Sequence, residues 1–233
     1  MVIESIKLEN FRNYETLELH AGSGNQYFYG ENAQGKTNIL ESVYLCGTTK
    51  SHKGSKDREM IRFDQEEAHI RMKLDRDGSS YSIDMHLKKT GPRDRHQRRP
   101  HTEGGRTSGS WKFCVFSPED LNIIKSGPGE RRRFVDLELC QLSKVYLFQL
   151  SNYNKILNQR NKLLKEITFR PEYLDTLDVW DSQLVQYGQR VIQERELFVS
   201  RLNEIIGGIH QRLSGGRETL VIHYEKNVEI GRV

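Results

Sequence analysis

Gly30-Glu31-Asn32-Ala33-Gln34-Gly35-Lys36-Thr37 decides how this 233-residue chain is read. Its spacing is G-x-x-x-x-G-K-[ST], that of a phosphate-binding loop. Such a loop must curl until successive backbone N–H groups face one anion, so Gly30 and Gly35 sit where a side chain would obstruct the curl. A helix that follows would point its positive N-terminal end at the same anion. Lys36 neutralises the outer phosphates, and the Thr37 hydroxyl ligates Mg²⁺. The neighbours supply the expected context. Gln26-Tyr27-Phe28-Tyr29 predicts a short aromatic strand running into the loop. Ile39, Leu40, Val43 and Tyr44 predict a helix from Lys36.

Further out, residues 2–9 and 14–20 alternate as strands, with a turn over 21–25. Residues 68–75 and 80–88 predict a hairpin around Asp77-Gly78. Trp111 to Phe116 predicts a buried strand, stopped by Ser117-Pro118. After Pro128 the period changes. Leu139, Leu142, Tyr146, Leu150, Tyr153, Leu157 and Leu164 follow helical spacing. The spacing breaks at residues 168–171 and resumes from Leu174 to Ile209, predicting a long antiparallel helical pair. Gly215-Gly216 ends the second arm, and Thr219 to Tyr224 predicts a returning strand. The expected organisation is α/β: a head lobe with a mixed sheet over 1–135, an inserted long-helix antiparallel domain over 136–213, and a strand returning to the head within 214–233.

The chain is 35% hydrophobic and 29% charged, polar for a globular protein yet sufficient for a core. No run of 18 apolar residues and no signal peptide are present, which excludes a membrane-spanning helix in this reading. Cys46, Cys114 and Cys140 lie far apart and read as free thiols of a reducing, cytoplasmic compartment. The net charge of +4 is unevenly spread. Between Lys88 and Arg106, seven basic residues (Lys88, Lys89, Arg93, Arg95, Arg98, Arg99, Arg106) face two acids, a local +5. That window is either a loop drawn to nucleic-acid phosphate or a solvated insertion. The eight histidines show no metal-ligand spacing along the chain.

Phe11-Arg12-Asn13-Tyr14 ahead of Gly-Glu-Asn-x-x-Gly-Lys-Thr-Asn resembles the ABC-type ATPase heads of the SMC, Rad50 and RecF group. Ser117 to Leu121, Lys125 to Pro128, and Glu130 to Asp136 resemble the RecF family specifically, as do Ser51-His52-Lys53, Asp57 and Glu59 to Phe63. The resemblance runs from residue 1 to about 224. It implies a cytoplasmic, ATP- and DNA-binding protein of DNA replication, repair and the response to DNA damage (SOS response). Such a protein dimerises with ATP, hydrolyses it slowly, and with RecO- and RecR-type mediators helps load the RecA recombinase at single-strand gaps. DNA would be met as duplex or as a single/double-strand junction.

By that resemblance Gly30, Glu31, Asn32, Ala33, Gln34, Gly35, Lys36, Thr37 and Asn38 hold ATP, with Mg²⁺ on Thr37. Arg12 either reaches the nucleotide phosphates or is a surface arginine beside a strand. Related heads use a Gln from the loop occupied here by Ser117 to Asp120. Here Glu119 or Asp120 replaces it, or both cap the next helix. Lys50, Lys53, Lys56 and Arg58, and Arg131, Arg132 and Arg133, are candidate DNA contacts, or solvated and salt-bridged residues. The basic window departs from the family, whose connection there is shorter.

Two motifs of such ATPases are missing. Leu213-Ser214-Gly215-Gly216 mimics the signature motif, but a helix ends there where the motif should begin one. No strand of four apolar residues ends in an acidic pair, so a Walker B carboxylate is missing. The chain therefore reads as an N-terminal portion with slow or undetectable hydrolysis of its own. Competing readings are another SMC-like P-loop ATPase, a GTPase or nucleotide kinase, or a non-enzymatic DNA-binding or coiled-coil module. Asn161-Lys162-Leu163-Leu164 fails the guanine-reading pattern at its last position.

Overall fold

The computed structural model describes residues 1–89, the backbone of 101–103, and 111–228. The chain divides into two compact units, Met1–Lys125 and Ser126–Val233. The division falls ten residues before the expected one.

The first unit is built on a five-stranded sheet in the order β2-β1-β3-β4-β5. Its strands are β1 (Val2–Phe11), β2 (Tyr14–His20), β3 (Glu67–Arg76), β4 (Ser79–Lys88) and β5 (His101–Glu103). Every pairing among these strands is antiparallel. Asp77 (φ 54°) and Gly78 (φ 80°) close the β3–β4 hairpin, both at positive φ. A two-residue turn of that kind matches the strand twist and fixes the register from Arg76↔Ser79 to Glu67↔Lys88.

Alternation then sorts the two faces. Ala68, Ile70, Met72 and Leu74 of β3, Ile83, Met85 and Leu87 of β4, and Ile6 and Leu8 of β1 are buried together. Helix α1 (Lys36–Thr48) adds Ile39, Leu45 and Cys46 to that core. Burial pushes the Cys46 thiol up to about 12. The short α2 (Asp57–Met60) sets Met60 against the same core. The opposite face of the sheet carries Lys7, Glu9, His69, Arg71, Asp84 and His86.

Two expected strands of this unit do not form. Residues 26–29 pair with no described strand, and Tyr27 and Tyr29 are exposed. Residues 111–116 are irregular: Trp111 is buried edge-on against Tyr81, but Phe116 is 90% exposed. Phe113 instead lies on α1, so close to Gly47 that a Cβ there would collide with its ring. Neither segment joins a ladder among the described residues, and a strand exists only with its ladder.

Ser117 opens a 3-10 turn, Pro118–Leu121, before α3 (Asn122–Lys125). Its backbone N–H donates to Asp120 Oδ2 at 2.7 Å, so Asp120 caps this turn.

The second unit is helical: α4 (Pro128–Leu142), α5 (Lys144–Ile167) and α6 (Leu177–Leu213). Ser143 caps α5 by accepting from the Tyr146 N–H. Pro171 takes the first position of the 3-10 turn Pro171–Thr176 that leads into α6. Leu139, Tyr146 and Val191 form the buried centre, flanked by Leu150, Tyr153 and Phe198. At 24 and 37 residues, α5 and α6 are roughly 36 and 56 Å long.

The signature-like residues prove to be a helix end. Gly215 and Gly216 adopt positive φ, and the Gly216 N–H returns to the Gln211 carbonyl at 2.8 Å. Thr219 to Tyr224 forms no strand with the described residues. The Asn203 side chain of α6 satisfies both backbone groups of Ile222, at 2.7 and 2.9 Å.

Candidate functional site

The Gly30–Thr37 loop is sharply curled. Gly30 (φ 141°), Ala33 (φ 66°) and Gly35 (φ 96°) all take positive φ. Gly35 caps α1 from the left-handed region and supplies no side-chain acceptor; its carbonyl takes the Asn38 N–H, which leaves the Lys36 and Thr37 N–H groups without an intrahelical partner. A Cβ on Gly35 would lie 2.6 Å from the Tyr14 hydroxyl and 2.7 Å from Asn13 Oδ1. Only glycine fits.

Those two residues, at the β1–β2 corner, brace the loop from behind. Asn13 Nδ2 and the Tyr14 hydroxyl both donate to the Gln34 carbonyl, at 3.3 and 3.2 Å. Burial raises the Tyr14 pKa, so its phenol stays a donor. Asn38 Nδ2 donates to Asn13 Oδ1 at 2.9 Å, tying α1 to the same corner. Lys36 Nζ donates to the Gly30 and Glu31 carbonyls at 2.8 and 2.5 Å, which holds the ammonium over the loop. Thr37 is exposed on the first turn. Glu31, Asn32, Ala33 and Gln34 form the exposed rim. The loop thus offers N–H groups, one ammonium and one hydroxyl, the donor set that fits a nucleotide polyphosphate with Mg²⁺.

Arg12 has other partners than a phosphate. Its Nε and one Nη donate to both oxygens of Glu41, at 2.9 and 2.8 Å. The remaining bonds go to the Glu59 carbonyl at 2.6 Å and Ser55 Oγ at 2.7 Å. Glu41 is fully buried on α1 and also accepts from Ser51 Oγ at 2.5 Å. Burial works to raise the Glu41 pKa, but hydrogen bonds from Arg12 and Ser51 outweigh it and hold the carboxyl below its usual range. Sequence reasoning overlooked Glu41. The available signal was an acid four residues before Leu45, on the stripe that α1 turns inward.

The basic candidates separate by place. Lys53 and Arg58 line an open cleft of about 900 Å³ with Arg12, Asn13, Asn38, Arg62, the exposed Phe63 and Lys89. Lys50 and Lys56 are exposed and outside that lining. In the helical unit, Arg131 donates to the Ser126 carbonyl at 3.0 Å and Arg133 pairs with Glu130 at 3.2 Å. Arg132 is exposed. In the basic window, Lys88 and Lys89 pair with Glu67 and Glu66. The expectation for Arg93, Arg95, Arg98, Arg99 and Arg106 lies outside the described residues. Among the described residues, no helix is long and apolar enough to cross a membrane.

A glycine-strained phosphate loop on a helix N-terminus, backed by an antiparallel sheet and followed by a long-helix arm, defines the head lobe of an ABC-type P-loop ATPase. The chain belongs to the AAA domain family, whose model matches residues 5–213. Its relatives narrow this to RecF. It is 56% identical over 230 residues to the DNA replication and repair protein RecF of Agathobacter rectalis, covering 98% of this chain and 64% of that protein. The RecF of Bacillus cereus strain G9842 is 40% identical over 231 residues, with 99% and 62% covered. Solved structures of the recombination mediator protein RecF-ATP and RecF-ATPrS in the RecFOR pathway match with TM-scores of 0.82 and 0.80. Both are 32% identical, and the matches cover 91% and 92% of this chain and 58% of theirs. The chain spans about 64% of the length of the curated relatives it matches.

Proposed function

We propose that this chain supplies the ATP- and Mg²⁺-binding lobe of a RecF-type protein of DNA replication and repair, acting in the cytoplasm. The carrying observation is the loop from Gly30 to Thr37, braced by Asn13 and Tyr14 so tightly that Gly35 tolerates no side chain. Loop N–H groups and Lys36 would hold the β- and γ-phosphates, and Thr37 the Mg²⁺. The bound ion would neutralise phosphate charge. Arg12 acts one step removed in this reading. Through Glu41 it fixes the β1–β2 corner that backs the loop.

The whole protein would bind duplex or junction DNA, dimerise with ATP and assist RecA loading at gaps with RecO- and RecR-type mediators. Lys53 and Arg58 in the cleft are the first DNA-contact candidates, followed by Lys50, Lys56 and Arg131 to Arg133. Hydrolysis by residues 1–233 would be slow or undetectable, since a Walker B carboxylate is missing from the sequence.

Titration with a fluorescent ATP analogue tests the reading. ATP should bind in preference to GTP, and Lys36→Ala should weaken ATP at least tenfold without unfolding the chain. Equal affinity in Lys36→Ala, or preference for GTP, overturns it. DNA affinity should fall steeply with added salt.

A further inference from the structure

We propose that His69, His86 and Glu67 form a binding site for a divalent transition-metal ion of the Zn²⁺ class, on the sheet face away from α1. The histidines are seventeen positions apart and share no ligand spacing along the chain. The Asp77-Gly78 turn brings them together, because its register sets His69 directly opposite His86. Their rings stack with centroids 4.0 Å apart and planes 21° from parallel. Both Nε2 atoms turn toward one carboxylate. His86 Nε2 lies 2.9 Å from Glu67 Oε2, and His69 Nε2 lies 3.7 Å from Glu67 Oε1. One ligand atom from each residue lies within 4.8 Å of the others, and no other described residues make such a group.

That donor set is the one Zn²⁺ takes: two imidazole nitrogens and a carboxylate, with a further position left to water. Imidazole with carboxylate equally admits Co²⁺, Ni²⁺ and Cu²⁺. The scaffold is rigid, since β3 and β4 are paired along their whole length. Access is open: the three side chains are between 35% and 49% exposed, beside a shallow cavity of about 270 Å³. Local charge does not oppose a cation. Lys7 is paired with Glu9 at 3.0 Å, Arg71 with Asp84 at 2.5 Å, and Lys88 approaches Glu67 at 3.7 Å. His86 Nε2 and Glu67 Oε2 share a hydrogen bond at 2.9 Å. An arriving ion takes the place of that hydrogen bond, joining β3 to β4 through a metal instead of a proton.

The test is calorimetric titration of the 233-residue chain with Zn²⁺ alone, without nucleotide, repeated with Co²⁺ while visible absorbance is followed. One equivalent should bind, and His69→Ala and His86→Ala should each weaken it at least tenfold. Glu67→Gln should weaken it by less. Cys114→Ser, which removes the exposed thiol, should leave it unchanged. ATP affinity should be the same in His86→Ala, which places the ion away from the phosphate loop. Should the histidine variants fold poorly, Co²⁺ should broaden the imidazole proton signals of two of the eight histidines in the unaltered chain. No saturable binding, undiminished binding in the folded histidine variants, broadening spread over the other histidines, or loss in Cys114→Ser overturns the proposal.

Discussion

Both units of the chain hold an arginine–carboxylate pair with a hydroxyl on its carboxylate, and the two pairs differ in what they hold. In the helical unit Arg195 donates twice to Asp136, each at 2.9 Å, and Tyr146 donates to Asp136 Oδ1 at 2.5 Å. Burial, and then the bond to Asp136, raise the Tyr146 pKa, so the phenol stays a donor. These groups come from α4, α5 and α6, and they tie three regular elements that already pack through Leu139 and Val191. In the head, Arg12 and Glu41 are bridged to Ser51, Ser55 and Glu59. Apart from α1 and the short α2, the elements joined there are turns with little apolar packing of their own. A polar network on helices adds to order that exists without it. A polar network among turns is the order, and the turns it fixes lie beside the phosphate loop.

The sharpest way to break this comparison is to remove each arginine. Arg12→Ala leaves Glu41 charged, fully buried and short of partners, which should cost about 3–5 kcal/mol. Arg195→Ala should cost less, because Asp136 keeps its Tyr146 bond and its side chain is 22% exposed. Denaturant unfolding of both variants checks the order. The same pair sets an acid limit. Glu41 ionises below its ordinary 4.5 when folded, so its stabilisation is complete above that value and is lost as pH falls through the depressed folded value. Glu41→Gln should flatten that acid limb of the stability curve, measured by melting temperature against pH.

Glycines sharpen the contrast at the next level. Gly35→Ala forces a side chain into positive φ against Tyr14 and Asn13, and should cost about 1–3 kcal/mol and most of the ATP affinity. Gly188→Ala on α6 meets only Tyr153, 3.2 Å away, at ordinary helical φ. Its stability should change by less than about 1 kcal/mol, since helix propensity favours alanine. Tyr146→Phe should cost about 1 kcal/mol: it removes the bond to Asp136 and the one from Arg195 Nε and leaves the Arg195–Asp136 fork intact.

Local chemistry was legible in the sequence wherever one segment holds all of it. The phosphate loop, the Asp77-Gly78 turn and the Gly215-Gly216 stop each depend on a few adjacent residues. The failures share one cause. Residues 26–29, 111–116 and 219–224 have strand composition, but a strand also needs a neighbour, and the neighbour is not written in the segment. Ile222 shows how far this goes: its backbone partner is one asparagine side chain. Glu41 and Arg12 are separated by 29 positions, so their pairing emerges only when α1 docks under the β1–β2 corner. Arg12 was legible as special, but its partner was not.

The sheet's connectivity also has a kinetic meaning. β1–β2 and β3–β4 are hairpins closed by short turns, and such units form in microseconds. The seam between them pairs Val2 with Asp75 and Glu9 with His69, and everything from the phosphate loop to α2 lies in the stretch that this seam closes. Closing it carries the loop entropy of that stretch, so the two hairpins form before they join. The residues of the Gly30–Thr37 loop are thus ordered in the last step of assembling the sheet, not the first. Amide exchange along β1–β3 should accordingly report the opening of the whole head, while the hairpin turns exchange on their own.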